Sequence, residues 1–68
     1  MEIRIEKGIV ISFDLITLRG KIIAIRNGKK FKFHSTCFQS APPTRFPLIG
    51  EMVKMAFSRG KLVSVRSD

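Results

Sequence analysis

Apolar side chains in this chain recur at every second residue. The clearest stretch is Lys30-Phe31-Lys32-Phe33-His34, with phenylalanine on one side and Lys or His on the other. Successive side chains of an extended strand point to opposite faces, so this pattern specifies a half-buried β-strand. It excludes an amphipathic helix, whose apolar residues return with a period of about 3.6. The same period places Val53, Met55 and Phe57 on one face of Glu51–Phe57. In Lys61–Arg66 it turns Val63 and Val65 inward and Ser64 and Arg66 outward. Between Glu2 and Phe13 the apolar residues Ile3, Ile5, Ile9, Ile11 and Phe13 all fall at odd positions. Gly8 interrupts that run, where a bulge or bend is expected, and Val10 is out of phase with it.

A fifth run, Lys21–Arg26, ends at Asn27-Gly28. Both residues tolerate positive φ, so a type I′ hairpin turn is expected there. Ser58-Arg59-Gly60 predicts a second tight turn. Asp14 to Thr17 predicts a third, with Asp14 as its acceptor. Ser35 to Pro47 is a connector, because Ala41-Pro42-Pro43-Thr44 carries prolines that lack the donor a sheet interior needs. The 68 residues thus hold three meandering strands, a longer connection and a hairpin. One domain spans 1–68. Five short antiparallel strands protect their core and edges best by curling. The expected fold is all-β, a five-stranded antiparallel OB-fold barrel, with an SH3-like small barrel as the alternative. Phe31, Phe33, Val53, Met55 and Phe57 are its expected core.

The chain carries 13 Lys plus Arg against 5 Asp plus Glu, a formal charge of +8. Such a domain suits a polyanion or an acidic protein surface. One His, one Cys and five carboxylates leave few acid–base parts. The sequence has no Gly-rich phosphate loop and no nucleophile–base couple, so no enzyme, no cofactor and no small-molecule substrate is expected. His34-x-x-Cys37 offers two ligands where structural zinc takes four, so no metal is expected either. A lone Cys37 cannot form an intrachain disulfide, which favours a reducing, cytoplasmic location. The alternating N-terminal residues lack the apolar core of a signal peptide, and no run reaches the ~18 apolar residues of a membrane span.

Several segments, taken together, carry a family pattern. Lys7-Gly8-Ile9-Val10-Ile11-Ser12-Phe13-Asp14 is similar to Lys-Gly-x-Val-x-Trp-Phe-Asn. Thr17-Leu18-Arg19-Gly20-Lys21-Ile22 is similar to Lys-Gly-Phe-Gly-Phe-Ile. Asn27-Gly28, then Phe31-Lys32-Phe33-His34-Ser35-Thr36, follows a family turn and Val-Phe-Val-His-Phe-Ser. Pro47, Gly50, Val53, Met55 and Gly60 take further family places. Over most of its length the chain therefore resembles the cold-shock domain, an OB barrel whose surface aromatics stack the bases of single-stranded RNA or DNA.

Carried across position by position, the family's tryptophan is Ser12, its second-strand phenylalanines are Arg19 and Lys21, and its third-strand ones are Lys32 and Ser35. Phe13 and His34 keep the family identity. The resemblance implies an RNA or single-stranded DNA partner met by an altered, cationic face. Lys7, Arg19, Lys21 and Lys32 would meet phosphates, and Phe13 and His34 bases, with Ser12 a polar gap. Arg45 and Phe46 form a second basic–aromatic pair beside the proline connector. A base stacked on an aromatic ring contributes roughly 1–3 kcal/mol, so a face poor in rings is expected to bind mainly by charge. Two other readings fit the same residues. One is a solvated sheet face protected by lysine. The other is a face that docks an acidic protein surface.

Overall fold

The structure, a computed structural model, describes residues 3–39 and 45–68. These form a curled, mixed six-stranded sheet, a half-barrel with almost no helix. Strand β1 runs Ile3–Asp14, β2 Arg19–Ala24, β3 Lys30–His34, β4 Phe38–Gln39, β5 Met52–Ser58 and β6 Lys61–Ser67, in the spatial order β3-β2-β1-β5-β6-β4. Among these elements the lone helical turn is the three-residue 3₁₀ segment Ser35–Cys37.

The expected set of five antiparallel strands becomes six, one of them parallel. Phe38 and Gln39, taken from the sequence as connector, pair in parallel with Val65 and Arg66. Because β3 and β4 are the two ends of the sheet and only Ser35–Cys37 separates them in the chain, that turn bridges the edges and holds the sheet curled. Ala41 to Thr44, with the two prolines, lie outside the described residues.

The inner surface is a single apolar cluster of Val10, Ile22, Ala24, Phe33, Val53, Met55, Phe57 and Val65, with Phe13, Phe31, Phe38 and Leu62 against it. This core follows the period of two in β3 and β5. It corrects the expectation for β1. There the even positions Glu6, Gly8 and Val10 face inward, while Ile3, Ile5 and Ile11 are exposed. The out-of-phase Val10 marks the true inner register. The register shift falls between Val10 and Ser12 rather than at Gly8. That bulge returns Phe13 to the inner side, opposite Gly20. Gly8 is instead a close-packing position, since a Cβ there would lie 2.5 Å from Ile22 Cγ2.

A second bulge, between Ala56 and Phe57, puts Leu62 opposite Phe57 and leaves Val63 48% exposed, contrary to its expected inward place. Turn chemistry also moves. Positive φ at both Arg59 (53°) and Gly60 (76°) marks the type I′ signature, in the β5–β6 hairpin. In the β2–β3 loop Gly28 alone has positive φ, and the Asn27 side chain accepts from Lys29 N at 3.0 Å. That loop is five residues long, too long for the expected two-residue turn.

Candidate nucleic-acid interface

The residues facing away from the core on β1, β2 and β3 lie in rows set by the strand register. Ser12 is opposite Lys21, and Lys21 is opposite Lys32. In the next row Asp14 is opposite Arg19, and Arg19 is opposite His34. Five sequence-predicted site residues, Ser12, Arg19, Lys21, Lys32 and His34, thus meet on one outer surface, which is what alternation required. Ser12, Phe13, Asp14, Arg19, Gly20, Lys21 and Lys32 line one open depression of about 380 Å³.

Gly20 is the hinge of this arrangement. A Cβ there would stand 2.6 Å from Ser12 O, 2.8 Å from Phe33 Cε1 and 2.9 Å from Phe13 Cδ1. Its absence lets β1 and β2 close on each other, and lets the Phe13 ring lie 6.0 Å from Phe33. Phe13 therefore belongs to the inward side of β1. It is half-buried, and reaches the depression as part of its lining rather than as a projecting ring.

Asp14 belongs to the face as well as to the turn that its sequence position predicts. It does serve the turn, with Oδ1 accepting from Ile16 N at 2.7 Å and Thr17 N at 3.3 Å. Counting by two from Ser12 would have placed its carboxylate beside Arg19. His34 likewise has a local duty. Its Nδ1 accepts from Thr36 N at 3.2 Å and lies 3.1 Å from Thr36 Oγ1, capping the 3₁₀ turn. Such a cap orients the ring and leaves Nε2 as the other polar atom for a ligand.

Arg45 and Phe46 form the upper edge, and they part company. The Arg45 guanidinium binds Glu51 through both nitrogens, Nη1 to Oε1 at 2.8 Å and Nη2 to Oε2. It also donates to Phe46 O at 3.0 Å and lies over the Phe38 ring at 5.5 Å. Glu51 further accepts from Leu48 N at 2.9 Å and Ser67 Oγ at 3.0 Å. The Arg45 bond foremost, aided by those from Leu48 and Ser67 and opposed by burial, lowers the Glu51 carboxyl to about 2. Arg45 is thus a staple tying the segment before β5 to the end of β6. The Phe46 ring is 49% exposed and packs 5.7 Å from Phe13. Around it Phe13, Leu15, Pro47, Leu48 and Ile49 line an apolar groove of about 470 Å³. Phe13 borders both depressions, so the cationic face and this apolar mouth are continuous.

Lys7 stands apart from these residues. It is on the same outer side of β1 but lies opposite Lys54 of β5, beyond the reach of the β1–β3 depression. No helix of the described residues is long and apolar enough to cross a membrane. No family model, curated protein or solved structure matches the chain.

Proposed function

We propose that this protein is a divergent cold-shock-like OB barrel that binds single-stranded RNA or DNA in the cytoplasm, mainly by charge. The observation that carries the reading is the Lys21–Lys32 pair, set directly opposite on adjacent strands. Like charges in such positions destabilise a sheet by about 0.2–1 kcal/mol. Nothing in the core requires lysine at either site, and a phosphate backbone turns the repulsion into attraction. Arg19, in the next row, provides the neighbouring cation and also offers a flat guanidinium to a base. Phe46, half exposed at the contiguous mouth, supplies the ring that Ser12 does not. A half-buried Cys37 with no partner cysteine in the chain fits a reducing compartment.

The test is a titration of a labelled oligouridylate and its DNA counterpart at several salt concentrations. The affinity is expected to fall with salt at a slope near −0.7 per phosphate contact. Lys21→Gln with Lys32→Gln is expected to make that slope shallower by about 1.4. An unchanged slope removes these lysines from the interface, and no binding at low salt removes the function.

The exposed mouth favours a second reading. Leu15, Leu48 and Ile49 are 67%, 63% and 69% exposed around the half-exposed Phe46. An apolar patch beside cations suits an acidic protein surface of a transcription or translation complex. A reconstituted complex that survives nuclease treatment and is lost in Leu48→Ser/Ile49→Ser belongs to this reading. Loss of that complex to nuclease belongs to the first.

A further inference from the structure

A cationic row that the β1–β3 face does not account for crosses the other half of the sheet. Lys7 on β1 is opposite Lys54 on β5, and Lys54 is opposite Arg66 on β6. All three are exposed, while Glu6, Gly8, Val53, Met55 and Val65 beside them in the strands are buried. The three side chains therefore project from the same outer surface. With neighbouring strands ~4.8 Å apart, three positive charges sit within about 10 Å. Asp68 Oδ1 lies 3.4 Å from Lys54 Nζ, one carboxylate among three cations. An exposed pair of that kind contributes at most about 1 kcal/mol and yields readily to a competing anion.

Between this row and the Ser12–Lys21–Lys32 row runs one that is apolar on β5, β1 and β2 and reaches a cation only at Lys30 on β3, opposite Ile23. Ile9 is opposite Ile23 on one side and Met52 on the other. Lys7 and Ser12 are five positions apart on β1, but the bulge between Val10 and Ser12 takes up one of them, leaving about 13 Å at ~3.3 Å per residue. A stacked strand rises ~3.4 Å per nucleotide, so about four nucleotide steps separate the two cationic rows.

We propose that Lys7, Lys54 and Arg66 form a second polyanion site. Resting on the function proposed above, it carries a bound single strand off the β1–β3 face and onto β5 and β6. Phosphates meet the two cationic rows, and the intervening bases lie over Ile9, Ile23 and Met52. The second row thus sets the length of strand the protein occupies.

The test compares oligouridylates of ~4 and ~12 nucleotides, within the range of lengths that small barrels of this type bind. The full chain carries Lys54→Gln/Arg66→Gln, with circular dichroism to check the fold. Affinity for the longer strand is expected to drop about tenfold at 0.1 M salt, with a slope shallower by about 1.4. The shorter strand is expected to lose less than about twofold, since the β1–β3 face alone satisfies it. Unchanged affinity and slope for the longer strand overturn the second site and leave the β1–β3 reading standing. If the same variant retains the longer strand but loses polyglutamate, the row serves an acidic protein and the proposal is overturned. Failure of the unmodified protein to bind either length overturns both readings.

Discussion

Single side chains decide whether the face exists. At Gly20 a methyl group would meet a backbone oxygen and two phenylalanine rings, all nearer than 3.0 Å. Backbone cannot move aside as a flexible side chain can, so Gly20→Ala is expected to destabilise the fold by about 1–3 kcal/mol. Chemical denaturation measures this, and a loss below that range would show that β1 and β2 separate easily. Glu51 makes a different prediction. Its carboxyl is held at about 2, below the ordinary 4.5. A depressed folded-state value means the stabilisation is present above pH ~4.5 and is lost as pH falls from there towards 2. Its side chain is 12% exposed, which tempers solvent screening without removing it. Glu51→Gln is expected to cost on the order of 1–2 kcal/mol at pH 7 and to flatten the stability curve between pH 4.5 and 2. Thermal melts across that range test it. A curve with an unchanged acid limb removes the Arg45–Glu51 staple from the stability of the fold. The sequence pointed to Arg45 as a ligand contact because Phe46 follows it. The partner that engages it, Glu51, is six residues on, and no local period links the two.

At the level of elements, β3 and β5 were legible because each keeps a strict period of two from end to end. β1 misled because its isoleucines keep that period on the solvent side. The inner face there is built from Glu6, Gly8 and Val10, which no hydrophobicity pattern selects. A bulge then restores Phe13 to the core, and a bulge is invisible to simple alternation. The turns show the same limit. Asn27-Gly28 has the type I′ composition, yet that geometry occurs at Arg59-Gly60, where the strands on either side permit only a two-residue loop. An arginine at φ 53° pays for a conformation that asparagine adopts more readily. Arg59→Asn is therefore expected to stabilise the fold by roughly 0.5–1 kcal/mol, a rise of several degrees in Tm for a domain of this size. A lower Tm would place the Arg59 side chain in a stabilising contact. The site residues on β2 and β3 were legible for the same reason as the strands. Alternation puts Lys21 and Lys32 on one face from the chain alone, but their direct opposition comes from the five-residue loop, since a two-residue turn at Asn27-Gly28 would have set Lys21 opposite His34. Lys54 and Arg66 escaped notice because the order of β1, β5 and β6 in the sheet is a tertiary fact.

The whole molecule combines a small apolar core, a net charge of +8 and an outer surface on which cations face cations. That surface is costly to a folded protein on its own and favourable to one that meets a polyanion. The curled sheet spreads two cationic rows over its outer side and leaves an apolar mouth at one border. The central claim is that charge on this surface drives the binding of a single strand. The most direct measurement is the salt dependence of affinity for a ~12-nucleotide oligouridylate. The account predicts a linear fall of log affinity with log salt, with a slope of about −3.5 to −4 from the five or six cations set against phosphates. Binding that does not change with salt, or no binding at low salt, would contradict it.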